Sequence, residues 1–267
     1  MPRAESLLLA LSSLCMMSDI QHNLNKWDIL NTSVPVVFPH GTLADGSDLE
    51  ILRENNQFIA ITPKSEHHWV HGQLFTSGIM EQSGLGIDTS FTSSSDILTQ
   101  MWFQLQSTRN TRSNPAHLHQ KLPNNTVMTV KQAFLLGTPN GGLALRRPDF
   151  GVIKKGAKAD IVVLNSNNTA FSAYYDPIAA VVLHANVGDI GHVLADGRFV
   201  KRDFHLRGYD WRGIQTNFTR STKKIQQVPL GYQNKYGTVR AQALSQFGLA
   251  EDTYENVATV NVEPSKL

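Results

Sequence analysis

Two short apolar runs, Val34-Pro35-Val36-Val37-Phe38-Pro39-His40 and Ser83-Gly84-Leu85-Gly86-Ile87-Asp88-Thr89, each end in a side chain that can bind a metal or move a proton. The run over 34–38 is too brief for a helix and is followed by turn residues, the pattern of a strand buried on both faces. Between the two runs, residues 45–56 read as a helix with Ser47 as N-cap and Glu50 three residues later. Phe58-Ile59-Ala60-Ile61 reads as a second buried strand, ended by Thr62-Pro63. A short helix over 74–82, a third strand over 84–87 and a longer helix over 96–109 continue the rhythm, with Ile97, Met101 and Leu105 on one helix side. Strands separated by helices pair in parallel, so His40 and Asp88 are expected at one carboxyl-terminal sheet edge. That edge is where α/β enzymes keep their chemistry. The natural architectures are a piece of a (β/α)8 barrel or a doubly wound sheet.

The flanking segments carry less. Residues 64–72 form a loop on this reading, concentrating Glu66, His67, His68, Trp69 and His71, a composition that lines sites. Residues 110–127 read as a polar connection containing Pro115, His117, His119 and Pro123, with both histidines at the surface, and lead to an apolar helix near 130–136. Gly141 and Gly142 fall in a glycine-rich break read as a helix end. From Gly151 the pattern turns to β, with a strand over 158–164 and a hairpin over 193–200 turning at Asp196-Gly197. Asp160 and Asp196 read as turn residues. Beyond Arg202 the chain is polar and weakly periodic, with a short helical possibility over 241–249. The domain division that follows is 1–33, amino-terminal helix and connection; 34–150, α/β part; 151–202, small β domain; 203–267, polar tail.

Composition narrows the partners. The 267 residues suffice for a sizeable core, and 41% hydrophobic with 17% charged residues is the make-up of a folded globular chain. With 24 basic against 22 acidic residues the net charge of +2 favours neither nucleic acid nor an anionic membrane as partner. No stretch is long and apolar enough to span a membrane. A single cysteine, Cys15, fits a reducing compartment, and a cytoplasmic location is expected. Arg3 and the apolar run 7–15 resemble a secretory signal, but Glu5 and the lack of a small-residue cleavage site favour a buried helix. Four N-x-S/T triplets, at Asn31, Asn124, Asn167 and Asn217, leave secretion open.

Taken in order, these motifs resemble the carboxyl-terminal part of the amidohydrolase superfamily, the metal-dependent hydrolases that include cytosine, guanine and thioadenosine-type deaminases and triazine hydrolases. The carriers are the strand ending at His40, Leu85-Gly86-Ile87-Asp88, and the phrase from Gly151 through Lys158-Ala159-Asp160-Ile161-Val162-Val163-Leu164. Asp176-Pro177 and the Asp196-Gly197 hairpin extend it, and Ser65-Glu66 with 91–100 resembles a fungal-type, deaminase-like branch. The resemblance implies a partial distorted (β/α)8 TIM barrel, strands six to eight, with a small flanking composite β domain. It implies zinc or another divalent metal, with Asp88 both ligand and proton carrier, and His40 holding the hydroxide or polarising the substrate. Glu66, His67 and His71 are the expected substrate contacts. The family's first-strand His-x-His pair has no counterpart ahead of His40, His117 and His119 lie in a late polar segment, and His22 stands alone.

Two functions follow. The first is a hydrolase of non-peptide C–N bonds that deaminates a small heterocycle. The second is a non-catalytic or truncated remnant lacking the His-x-His ligands, acting at most as an interaction protein. Three parallel strands leave an open edge and an uncovered apolar face, so a homo-oligomer is a further possibility.

Overall fold

The computed structural model describes residues 30–42, 44–70, 79–90, 94–167, 169–172 and 174–227. Its first sheet is built from β1 (Val37–Pro39), β2 (Phe58–Ile61) and β3 (Ser83–Leu85), in the order β1-β2-β3. Both pairings are parallel, Phe38 against Ile59 and Ala60 against Gly84. Helix α1 (Gly46–Glu54) makes the first crossover. Its N-cap is Asp45, not Ser47: the Asp45 carboxylate accepts from the N–H of Ser47 and Asp48, and Asp48 answers from the third helical position. The reciprocal pair satisfies more orphan donors than a serine could.

Helix α2 (Pro63–His68) takes up residues 64–68 of the expected 64–72 loop, whose positions 71 and 72 lie outside the described residues. Proline at the first helical position is preorganised for helix and sacrifices no hydrogen bond there. Helix α3 (Ile97–Leu118), capped by Asp96, runs well past Arg109. The expected polar connection thus begins later, because a helix already nucleated extends at little cost and Pro115 falls near its end. His117 and His119 are exposed, at and just after the last turn. Helix α4 (Val130–Leu136) matches expectation and opens on a Thr129–Gln132 capping box. Gly141 and Gly142 lie inside a short helix, α5 (Pro139–Ala144), rather than at a helix end. A Cβ on Gly142 would stand 2.8 Å from the Arg147 carbonyl oxygen, so the chain folds back too closely for a side chain.

Beyond these lie β4 (Ile161–Leu164), α6 (Thr169–Ser172), α7 (Pro177–His184), β5 (Ile190–Ala195), β6 (Arg198–Arg202) and β7 (His205–Leu206). The β elements form a second, antiparallel sheet in the order β4-β5-β6-β7. The β5–β6 hairpin turns at Asp196 and Gly197, both at positive φ, as a two-residue hairpin turn requires. Asp160 accepts from the Asp196 N–H at 2.7 Å, and Asp196 pairs with Lys158.

Two apolar clusters hold the α/β part. One joins Leu30, Phe38, Ile51, Leu52, Ile59, Ile61 and Ile79; the other joins Met101, Leu105, Met128, Ala133, Leu136 and Val182. Leu85 packs against both.

The chain divides into two compact units, 1–209 and 210–267. The described part of the second is α8 (Trp211–Gln226), capped by Asp210. Trp211, Ile214, Phe218 and Ile225 share one stripe of it, with Arg212, Arg220, Lys223 and Lys224 opposite. The expected amino-terminal helix and the helical possibility over 241–249 lie outside the described residues. Among the described residues no helix is long and apolar enough to cross a membrane.

Candidate functional site

His40 follows β1 directly, and its N–H donates to the Ala60 carbonyl at 2.9 Å, so the parallel ladder delivers it to the sheet edge. Asp88 follows β3, held in place as Gly86 N–H donates to the Ile61 carbonyl at 2.7 Å. Both residues adopt left-handed backbone, with φ of 65° and 64° respectively. Such strain in non-glycine residues costs on the order of 1–3 kcal/mol each and is concentrated where shape serves a site. Gly41 continues the turn at φ 64°, with room for a hydrogen only: a Cβ would meet Ile59 Cδ1 at 2.8 Å.

The turn from β2 into α2 supplies what joins the two edge residues. Thr62 Oγ1 lies 2.8 Å from His40 Nδ1, and Ser65 Oγ donates a short hydrogen bond to Asp88 Oδ2. Glu66, one turn into α2, accepts from the Thr62 N–H at 2.8 Å through Oε1, and the same oxygen stands 3.6 Å from His40 Nδ1. The Glu66 carboxylate raises the pKa of His40 above the ordinary 6.5, against the burial that would lower it; the Glu66 and Asp88 charges add to the rise. His40 is mostly buried, Asp88 exposed.

The expected substrate contacts divide. Glu66 is wholly buried, because the helix turns its side chain back under Thr62 rather than outward from a loop. The His67 ring is engaged at both nitrogens, by the Pro63 carbonyl and Ser107 Oγ, and stacks edge-on against Phe103. His68 is exposed against Trp69. His71 lies outside the described residues. Thr62 and Ser65 escape a reading by composition because their partners are 22 and 23 residues away. The available signal was Thr62-Pro63 closing a strand and opening a helix, with Glu66 four residues on. A cavity of about 480 Å³ lined by Met80, Glu81, Thr108, Met128, Leu135 and Asn140 lies at the amino end of β3, the end opposite Asp88.

The family model described as "Amidohydrolase family" matches residues 18–200. The chain belongs to the amidohydrolase family. It is 26% identical over 180 residues to the 5-methylthioadenosine/S-adenosylhomocysteine deaminase of Dictyoglomus thermophilum, covering 67% of this chain and 40% of that one. The enzyme of the same description from Thermococcus kodakarensis is 29% identical over 173 residues, 62% of this chain and 37% of its own. The amidohydrolase chain described here therefore spans about two fifths of the length of these relatives. Among solved structures, a zinc-bound adenosine deaminase from Xanthomonas campestris aligns with a TM-score of 0.68 at 15% identity, over 78% of this chain and 46% of that one. Atrazine chlorohydrolase from Arthrobacter aurescens TC1, complexed with zinc, gives 0.60 at 16% identity, over 69% of this chain and 40% of that one. The mixed α/β fold is thus that of amidohydrolase structures.

Catalytic zinc takes three protein ligands and keeps one open position. Among the described residues no group of three His, Cys, Asp or Glu side chains converges to hold a metal ion. The edge offers one exposed carboxylate and one imidazole, which do not by themselves make such a shell.

Proposed function

We propose that this chain supplies barrel strands six, seven and eight of a hydrolase that deaminates a small heterocycle, with 34–150 as the barrel part and 151–202 as the composite β domain. The observation that carries the proposal is the placing of His40 and Asp88 on one carboxyl-terminal edge, joined through Thr62 at the β2–α2 junction and Ser65 in the first turn of α2. Hydrolytic deamination adds water across a C–N bond, leaving a carbonyl and releasing ammonia. Asp88 takes a proton from the attacking water and returns it to the departing nitrogen. His40, held easily protonated beside Glu66, donates to the oxygen or ring nitrogen that gathers negative charge. On this reading Asp88 would also hold a divalent metal, which when bound would lower the pKa of the attacking water. Deaminase relatives support a small heterocyclic substrate.

The test is ammonia release from 5-methylthioadenosine and S-adenosylhomocysteine by the purified chain with zinc supplied. Turnover should fall by about two to four orders of magnitude in Asp88→Asn and in His40→Gln. Turnover unaffected by Asp88→Asn would remove Asp88 from the reaction. No turnover by the parent would leave the second reading, an interaction protein derived from the family.

A further inference from the structure

We infer that Glu66 is a positioning residue that acts through Thr62 to hold the His40 imidazole with its proton on Nδ1; this rests on the proposed role of His40 toward substrate. Glu66 is 0% exposed, and its Oε2 has no hydrogen-bond partner. A carboxylate is a costly group to bury, and one left half satisfied is costlier than an apolar side chain of the same shape. Capping the Thr62 N–H would need only a neutral acceptor. The charge has a different neighbour to act on.

That neighbour is the imidazole. Glu66 Oε1 stands 3.6 Å from His40 Nδ1, and Thr62 Oγ1 lies beside both, 2.8 Å from Nδ1 and 3.4 Å from Oε1. The Thr62 hydroxyl carries one hydrogen and can be oriented in two ways. Donated to Glu66, it leaves the hydroxyl oxygen to accept from Nδ1–H, and all three groups are complementary. Donated to Nδ1, it leaves Glu66 Oε1 with the Thr62 N–H as its donor but without the hydroxyl, and sets that carboxylate oxygen 3.6 Å from a ring nitrogen that offers it no hydrogen. The first arrangement therefore prevails, and the neutral ring carries its hydrogen on Nδ1 and its lone pair on Nε2. Nε2 is then the nitrogen that accepts from water and, once protonated, donates to the developing charge.

The experiment is long-range proton–nitrogen NMR of the histidine rings in the whole, nitrogen-15-labelled chain, at alkaline pH where His40 is neutral. The His40 signals are identified by their loss in His40→Gln. The parent and Thr62→Ser, which keeps the hydroxyl, should show the Nδ1–H pattern. Thr62→Val should lose the preference. Glu66→Met, close in volume but unable to accept, should reverse it, because the Thr62 hydroxyl is then free to donate to Nδ1. An Nε2–H pattern in the parent, or an unchanged Nδ1–H pattern in both Thr62→Val and Glu66→Met, overturns the inference. Should Glu66→Met fail to fold by circular dichroism, the contrast of Thr62→Val with Thr62→Ser decides alone. Where the chain turns over substrate, Glu66→Met should lower kcat by about tenfold to a hundredfold while KM stays within about threefold. The ring readout needs no turnover, so an inactive parent with Nδ1–H on His40 would count against the proposed activity and not against Glu66.

Discussion

His40 and Asp88 both sit in left-handed backbone immediately after a strand, so each strained residue is held by the sheet ladder on one side and by α2 on the other. Gly41 makes the His40 turn possible. Gly41→Ala should destabilise the fold by about 1–3 kcal/mol, since alanine is strained at that φ and its methyl meets Ile59; chemical denaturation measures it. A second expectation concerns pH. The folded His40 imidazole titrates above the unfolded value of 6.5, so the folded state holds the proton more tightly than the unfolded chain. Its contribution to stability is complete below 6.5 and fades as pH rises through the folded value. Melting temperature should accordingly fall less steeply from about pH 6 to about pH 9 in His40→Gln than in the parent; equal slopes would show that His40 carries no such linkage. The two edge residues were legible in the sequence because each closes an apolar run too short for a helix. Thr62, Ser65 and the interior place of Glu66 were not, because long-range hydrogen bonds leave no periodic trace.

Helix boundaries depend on which polar group reaches an orphan N–H, and Asp45-Gly46-Ser47-Asp48 offers more than one candidate. The structure assigns the cap to Asp45, with Ser47 donating its own hydroxyl to that carboxylate at 2.6 Å. Asp45→Ala should therefore cost about 1 kcal/mol, and Ser47→Ala no more than about 0.5, in urea denaturation. A larger loss in Ser47→Ala would return the cap to serine. Similar ambiguity hid α2 and the far end of α3. Their charged and polar side chains resemble loop composition, but a proline start in one and a preformed helix in the other decide the backbone. The β6–β7 turn escaped notice for a related reason. Asp203 and Phe204 take positive φ with no glycine to mark it, whereas Gly197 marks the β5–β6 turn.

Across the α/β part, two separate apolar clusters meet at β3. The parallel order of β1, β2 and β3 was readable from the alternation of strands and helices, but the meeting of the clusters at β3 was not, since a three-residue strand has too few positions to show a pattern. Leu85 touches both clusters, and Asn140 ties α5 to the same strand, donating to the carbonyls of Met80 at 2.8 Å and Ser83 at 2.7 Å. The α5 backbone at Asn140 and Gly141 lies 3.6–3.7 Å from where a Cβ on Gly84 would be, an ordinary packing distance. The junction therefore combines an apolar bridge with a buried amide, and each fails differently. Leu85→Ala should cost about 2–4 kcal/mol by opening a cavity common to both clusters. Asn140→Ala should cost about 1–3 kcal/mol by leaving two carbonyls unpaired. If β3 couples the clusters, Leu85→Ala should also separate the hydrogen-exchange protection of Phe38 and Ile59 from that of Leu105 and Leu136, which in the parent should be lost together. Uniform loss in the variant would mean that coupling runs through some other contact, and Leu85 would then be an ordinary core residue.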